Sequence, residues 1–282
     1  MDWIKVITLG VVQGITEWLP ISSTAHLKII PSLLHWPDPG APATAVMQLG
    51  TVAAVIVYFW KDIRQTLLGM FRALGPGGDR NSPEARLAFA VAVGTLPICV
   101  AALFLKDYIV GPFRSDYVIA GALIVVGLIL LAAEKFLPQR RSLEEITVRD
   151  GLIVGIAQMF SLIPGASRSG STLTGAFASG LQRDDAVRFS FLLSIPAVTL
   201  AGLYEMKEFI KPEPPLPGAL PVMAWSAPEL IVATVISGLV GYASIAFLLQ
   251  YLKKHSTLVF VLYRVVLGFV LLYLLQTGQL MP

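Results

Sequence analysis

Long apolar stretches separated by short charged ones dominate the pattern of this chain. Six of these stretches carry at most one charged residue each and are long enough to cross a membrane as helices. The predicted spans are roughly residues 42–60, 87–105, 117–133, 187–204, 230–252 and 258–276. The pattern therefore predicts an all-α polytopic membrane protein.

Two further apolar regions, residues 1–35 and 151–182, are interrupted rather than continuous. In the first, Glu17 breaks the apolar pattern, and Pro20 and Pro31 disfavour an unbroken helix. Irregular backbone at membrane depth is tolerated where it is buried in protein or lines a cavity. Each region is therefore predicted to be a re-entrant helix hairpin. No small-residue cleavage site follows the N-terminal apolar run, so we expect it to be retained.

The two halves of the chain resemble each other at an offset of about 141–145 residues. GVVQ at 10–13 matches GIAQ at 155–158, and PISS at 20–23 matches PGAS at 164–167. Three spans in each half would insert the halves in opposite orientations, and the two hairpin tips would meet near the midplane. We expect one membrane domain with repeat one at 1–135, a polar linker at 136–150 and repeat two at 151–282. The predicted fold is an inverted-topology repeat of six transmembrane helices plus two re-entrant hairpins.

Composition and charge agree with a membrane protein and indicate its orientation. The chain is 55% hydrophobic and 14% charged, and its net charge of +3 gives no case for nucleic-acid binding. Basic residues concentrate in the loops 61–86, 134–150 and 253–254, which predicts that both termini lie on the outer side. The opposite side holds fewer of them, such as Lys106, Arg114, Lys207 and Lys211.

The most unusual motif is PGASRSGST at 164–172, in which Arg168 is the only charged residue between 151 and 182. A cation within a membrane segment is costly and indicates a functional site by default. A guanidinium among hydroxyl groups, on a backbone that glycine lets approach a ligand, suits a phosphate group. The predicted phosphate-binding residues are Ser22, Thr24, Gly165, Ser167, Ser169 and Thr172.

The first broken region supplies candidate reactive groups. Gln13 and Glu17 are four residues apart and share a helix face, and Ser23 and His26 follow the break. A glutamate can orient or deprotonate, and a histidine can act as nucleophile, base or acid. With Arg168 stabilising phosphoryl charge, these are the residue types of a phosphohydrolase. We therefore expect Arg168 to lie within reach of Glu17 and His26.

Arg264 is a second cation inside a predicted span. It would pair with Glu17 or another carboxylate, or contact a ligand, and the sequence leaves structural and functional roles equally open. Gln13 and Arg264 are therefore taken as supporting residues.

Both broken regions resemble the signatures of the bacterial undecaprenyl-diphosphate phosphatases, the bacitracin-resistance family. The first is QGITEWLPISSTAH at 13–26, and the second is PGASRSGST at 164–172. QLG at 48–50 and FSFLLSIP at 189–196 are also similar to that family, so the resemblance covers nearly the whole chain. Gln13 stands where many members have Glu, which removes one carboxylate from any paired-acid or metal site.

The resemblance implies hydrolysis of undecaprenyl diphosphate to the monophosphate, which recycles the lipid carrier of peptidoglycan synthesis. It implies catalytic roles for Glu17, Ser23, His26 and Arg168, a divalent cation (Mg²⁺ or Ca²⁺) near Glu17, and a prenyl diphosphate as the partner. It also implies the bacterial plasma (inner) membrane, a site accessible from the outer face, and it allows a homodimer. Ser23, His26 and water all stay open as the nucleophile.

Two other functions compete with this interpretation. A secondary transporter or flippase of a lipid phosphate or another anion would also use inverted repeats and a midplane arginine, but it does not need the Glu17, Ser23 and His26 group. The type-2 lipid phosphatases require an Arg-Pro pair, which this chain lacks, and a histidine where Thr174 stands.

Overall fold

The structure, a computed structural model, describes residues 2–105, 108–109, 111–210 and 222–280. Lys106 and Lys211, two of the basic residues expected on the outer side, lie outside these ranges. The first half contains α1 (Trp3–Trp18), α2 (Ser23–Leu33), α3 (Ala41–Tyr58), α4 (Trp60–Leu74), α5 (Pro83–Phe104) and α6 (Asp116–Phe136). The second half contains α7 (Val148–Met159), α8 (Arg168–Ala178), α9 (Arg183–Ile210), α10 (Ala227–Leu252) and α11 (Leu258–Gln276).

Six of these helices, α3, α5, α6, α9, α10 and α11, are long and apolar enough to cross a membrane. Each begins or ends within a few residues of a predicted span, and many of their large apolar side chains are exposed, as lipid contact requires. The prediction of an all-α polytopic membrane protein with six spans is confirmed.

The two interrupted regions form two pairs of short helices, α1 with α2 and α7 with α8. Each pair is broken just before the second helix, close to Pro20 and Pro164. The prediction that Pro31 also breaks the helix is wrong, because Pro31 lies inside α2 near its C-terminal end. Re-entry of these pairs into the membrane stays a prediction, as do the repeat boundaries at 135 and 151.

The connection 61–86, which the sequence predicted as a basic loop, contains most of a helix, α4. Its outer face exposes Trp60, Leu67 and Phe71, while Gly69 and Ala73 are buried against the body of the protein. Apolar and basic residues on different faces are typical of helices that lie in the membrane interface. The basic loop is therefore partly an amphipathic helix at the end of a span.

Helices of each half pack against helices of the other half. Helix α1 packs along α10, whereas α7 packs along α5, and the pairs α3 with α9 and α6 with α11 pack directly together. Small residues allow close approach: a Cβ on Gly155 would lie 2.2 Å from the carbonyl oxygen of Gly94. This reciprocal pattern fits two interlocked copies of one helical unit.

A buried carboxylate ties three helix ends together on the basic side. Glu134, at the end of α6, accepts from Arg183 Nε at 2.6 Å and from Thr257 N at 2.9 Å. On the opposite side, Lys28 pairs with Asp116 at 2.8 Å and Arg114 pairs with Asp38 at 3.1 Å. These contacts hold the ends of α6, α9 and α11 together on one side, and the start of α6 to α2 on the other.

Candidate active site

Two serines with left-handed backbone start the second helix of each broken pair. Ser22 has φ 73° and Ser167 has φ 70°. The Ser22 hydroxyl accepts from Ala25 N at 3.4 Å and starts α2, and the Ser167 hydroxyl accepts from Gly170 N at 3.2 Å and starts α8. Such strain in a residue other than glycine concentrates at functional sites. We name residues 19–24 the first tip and residues 163–169 the second tip.

The two tips touch each other. The Ser169 hydroxyl donates to the Leu19 carbonyl oxygen at 3.1 Å, and the Gly165 N–H donates to Thr24 Oγ1 at 3.5 Å. The N-termini of α2 and α8 therefore lie side by side. Because a helix N-terminus presents unsatisfied N–H groups and positive dipole ends, two of them together favour an anion.

Glu17, at the end of α1, is the centre of the site. Its Oε2 accepts from Gln13 Nε2 at 2.8 Å and from Ser23 Oγ at 2.7 Å, and its Oε1 forms an ion pair with the Arg168 guanidinium. Glu17 is only 5% exposed, which strengthens each contact through the low local dielectric. The predicted approach of Arg168 to Glu17 is confirmed, and Gln13 and Ser23 belong to the same cluster.

His26 lies one turn beyond Ser23 on α2 but contacts a different partner. Its Nδ1 bonds to the Ser22 carbonyl oxygen at 2.7 Å, and its Nε2 bonds to Tyr263 Oη at 2.6 Å. In the neutral imidazole, Nδ1 must carry the proton, because a carbonyl oxygen only accepts, so Tyr263 donates to Nε2. Both ring nitrogens are thus engaged by other groups. The expected approach of Arg168 to His26 stays a prediction.

Five of the six predicted phosphate-binding residues lie at the tips. Ser22 and Thr24 share a hydroxyl hydrogen bond at 3.1 Å, and Ser167 and Ser169 share one at 3.2 Å. Thr172 is placed differently, since its hydroxyl donates to the Arg168 carbonyl oxygen at 2.8 Å and contacts the Ser190 hydroxyl on α9. Fully buried, Thr172 anchors α8 to α9 instead of facing the tips.

Gly165 is required at its position for two reasons. Its φ of +94° is a backbone conformation that L side chains rarely adopt. An added Cβ would also lie 2.5 Å from the Ile119 carbonyl oxygen on α6. The second tip therefore packs against α6 through a contact that only glycine permits.

Arg264 does not pair with Glu17, as one interpretation of the sequence proposed. Its guanidinium is fully buried and bonds to backbone carbonyl oxygens, including Pro20 of the first tip at 3.4 Å and Ala166 of the second tip at 2.8 Å. Both carboxylate oxygens of Glu17 are already engaged by other groups, which explains why the pairing does not form.

Sequence reasoning missed Tyr263 and Ser190. Tyr263 lies on α11 with its ring stacked on His26 at a centroid distance of 5.6 Å, although it is 237 residues further along the chain. A tyrosine in an apolar span is usually an interfacial anchor, so its pattern carried no signal for this contact.

The residues at the tips offer limited ligation for a divalent cation. Within the described ranges, no three His, Cys, Asp or Glu side chains converge as a metal site would require. Glu17 supplies one carboxylate, and the buried Gln13 Oε1 beside it has no hydrogen-bond partner among the described residues. Mg²⁺ keeps several waters and is often held by one or two carboxylates plus substrate phosphates. One carboxylate and one amide oxygen fit that kind of site.

Comparisons with known proteins agree on one family. The family model described as bacitracin resistance protein BacA matches residues 6–270. The chain is 52% identical to an undecaprenyl-diphosphatase of Myxococcus xanthus over its whole length and 92% of that protein. It is 46% identical to an undecaprenyl-diphosphatase of Chloroherpeton thalassium over 99% of both chains, and 50% identical to one of Synechococcus over 94% and 90%.

Proposed function

Since this chain belongs to the bacitracin resistance protein BacA family, we propose that it hydrolyses undecaprenyl diphosphate to undecaprenyl phosphate and inorganic phosphate. The reaction recycles the lipid carrier of cell-wall synthesis in a bacterial membrane. The observation that carries the chemistry is the position of the Glu17 carboxylate between the Ser23 hydroxyl and the Arg168 guanidinium.

The two tips form the diphosphate site in this proposal. The N–H groups of the first turns of α2 and α8 provide hydrogen bonds and positive dipole ends for phosphate oxygens. Arg168 moves from Glu17 to the phosphate, because the space beside this ion pair, next to Trp18 and Phe191, is too narrow to admit even a water molecule. Substrate binding therefore separates the pair and leaves the Glu17 carboxylate free to accept a proton.

Ser23 is the nucleophile that the geometry favours among the three candidates. Its hydroxyl already donates to the Glu17 carboxylate, whereas both nitrogens of His26 are engaged. Ser23 Oγ forms a bond to the terminal phosphorus while the bond from phosphorus to the bridging oxygen breaks. The hydroxyl proton passes to Glu17, and undecaprenyl phosphate leaves.

His26 serves the second step. Tyr263 turns away from Nε2, and a water molecule attacks the phosphorus of the phosphoserine while His26 accepts one of its protons. The Ser23 oxygen leaves and recovers its proton from Glu17, and inorganic phosphate is released. Arg168 stabilises the charge on the equatorial phosphate oxygens in both steps.

A divalent cation, Mg²⁺ or Ca²⁺, would be held by the Glu17 carboxylate and the Gln13 amide oxygen, together with the substrate. When bound, it would neutralise part of the diphosphate charge. Gln13 otherwise orients Glu17 through its Nε2 hydrogen bond.

The proposed orientation has both termini on the outer side of the plasma (inner) membrane and the site open to the outer face. Six spans and the grouping of the loops 61–86 and 134–150 on one side support it: Arg86 donates to the Glu144 carbonyl oxygen there. The homodimer that the family resemblance allows remains a prediction.

Phosphate release by the purified protein tests this function. We expect release from undecaprenyl and farnesyl diphosphate in detergent, and a strong reduction by EDTA. Arg168→Ala should lower turnover about 10²–10³-fold because charge stabilisation is lost. Arg188→Ala is the matched control, since Arg188 pairs with Asp62 away from the tips. An Arg168→Ala variant with wild-type turnover would contradict the assignment.

A further inference from the structure

Arg264 binds both tips and α6 at once. It lies in the middle of α11, is fully buried, and uses all three guanidinium nitrogens. Its partners are the carbonyl oxygens of Leu123 (3.1 Å), Ala122 (3.3 Å), Pro20 (3.4 Å), Gly165 (3.1 Å) and Ala166 (2.8 Å). One side chain therefore contacts three elements that are far apart in the sequence.

The charge of Arg264 is balanced only by backbone dipoles in these contacts. A carboxylate partner would cancel the charge of this buried cation. Neutral carbonyl groups instead leave a net positive charge at this position. Its Nη1 lies directly behind the first turn of α8, where a Cβ on Gly170 would come within 2.7 Å of it. The positive charge thus lies behind the anion-binding end of α8.

The carbonyl contacts also orient the second tip. In a trans peptide the C=O and N–H bonds point in opposite directions. Because the Ala166 carbonyl oxygen points at Arg264, the N–H of Ser167 points away from it, to the other side of the loop. Gly165, whose carbonyl oxygen is also bound, holds the left-handed conformation that turns the chain into α8.

We propose that Arg264 is a positioning residue for phosphoryl transfer: its forked guanidinium holds the two tips together so that Ser23 on the first and Arg168 on the second face the same phosphorus. This role rests on the proposed phosphatase function. It requires the geometry of the guanidinium and not its charge alone, because a lysine ammonium has three donors on one nitrogen and cannot span carbonyls of three elements.

The neighbouring residue supports the same role for this turn of α11. Tyr263 bonds to His26 on α2, and Arg264 bonds to Pro20, just before α2. The turn therefore contacts the first broken pair at His26 and Pro20, and the second tip at Gly165 and Ala166. A small displacement of these groups is expected to lower the rate, since misplacement by about 1 Å can cost about 10²-fold.

Steady-state kinetics with farnesyl diphosphate test the proposal in three variants of the full chain. Arg264→Lys keeps the charge but loses the fork, Arg264→Met removes both, and Arg188→Lys is the control for an arginine-to-lysine change outside the site. We expect Arg264→Lys to lower kcat about 10²-fold with KM within about threefold, and Arg264→Met to lower kcat at least as much. Arg188→Lys should keep the wild-type values, and Arg264→Lys should elute as the same monodisperse species as the wild type.

The other outcomes overturn the inference in distinguishable ways. A wild-type kcat in Arg264→Lys would mean that charge alone is needed, and a raised KM with unchanged kcat would mean direct substrate binding. Aggregation of both Arg264 variants would assign a purely structural role. If the wild-type protein itself released no phosphate from farnesyl or undecaprenyl diphosphate, the proposed function would fail, and this inference with it.

Discussion

At the scale of single residues, the hydroxyl of Ser23 and the carboxylate of Glu17 form the contact on which the proposed mechanism depends. The hydrogen bond between them is 2.7 Å long and buried, so the carboxylate can take the proton as the hydroxyl attacks. Gln13 holds the same oxygen from the other side, which keeps the carboxylate in one orientation.

Loss of the Ser23 hydroxyl should therefore remove the phosphoryl acceptor. We expect Ser23→Ala to lower kcat for farnesyl diphosphate by about 10³-fold or more and to abolish any acid-stable phospho-enzyme. Ser32→Ala is the matched control, because the Ser32 hydroxyl donates to the Lys28 carbonyl oxygen at the other end of α2. Phosphate release and phosphopeptide mapping are the measurements, and a phospho-enzyme that persists in Ser23→Ala would identify another nucleophile.

At the scale of elements, the two tips depend on a backbone conformation with positive φ, which residues other than glycine rarely adopt. Ser22, Gly165 and Ser167 all have positive φ, and each lies within three residues of a helix start. The hydroxyl caps and the carbonyl contacts to Arg264 compensate for this strain.

A methyl group at Gly165 should disturb the second tip. The strained φ costs about 1–3 kcal/mol, and the Cβ would collide with the Ile119 carbonyl oxygen. We expect Gly165→Ala to lower the unfolding temperature in detergent and to reduce kcat. The control is Gly121→Ala on α6, where an added Cβ meets nothing within 4 Å. Equal unfolding temperatures in the two variants would show that the tip tolerates a side chain.

Most of the helices could be predicted from the sequence, and α4 is the exception. The six spans follow from apolar length, and the breaks in the two short pairs follow from proline and polar residues near 20 and 164. Helix α4 was missed because the charges between 61 and 72 indicated a loop. Its apolar residues recur with helical spacing on one face, and that period was the available signal.

At the scale of the whole molecule, an ion pair on the basic side links the linker to the start of α7. Arg141 donates to both oxygens of Asp150 at 2.8 Å, and Thr147 donates to Asp150 Oδ2 as well. Burial alone would raise the pKa of Asp150, but the hydrogen bonds from Arg141 and Thr147 prevail and hold the pKa of this carboxyl below its ordinary value of 3.8.

The sign of this shift gives a pH dependence for stability. A carboxyl whose pKa is lower in the folded state stabilises it above pH 3.8, and this stabilisation is lost as the pH falls through the folded pKa. We expect the unfolding temperature of the wild type to fall as the pH is lowered from about 5 to about 3, and Asp150→Asn to flatten part of that fall. An Asp150→Asn variant with an unchanged profile would contradict the linkage.

The orientation of the molecule can be measured with introduced cysteines, because the chain has only one cysteine of its own, Cys99, to replace. In a Cys99→Ser background, Gln279→Cys should react with a membrane-impermeant maleimide on spheroplasts, because the C-terminus is proposed to lie outside. Lys254→Cys, in the basic loop before α11, should react only after the membrane is permeabilised. Both positions are exposed, so access depends on the side of the membrane. The reverse labelling would invert the topology.

The sequence by itself determined the class of molecule and the residue types of its candidate site. Apolar length defines spans, costly intramembrane charges such as Glu17 and Arg168 mark function, and both signals are local. The tertiary structure decided which of these residues meet: Arg168 with Glu17 across the tips, His26 with Tyr263, and Arg264 with backbone carbonyl oxygens. Contacts between residues 98 to 244 positions apart depend on how helices cross and how far side chains reach, and no local pattern encodes that geometry.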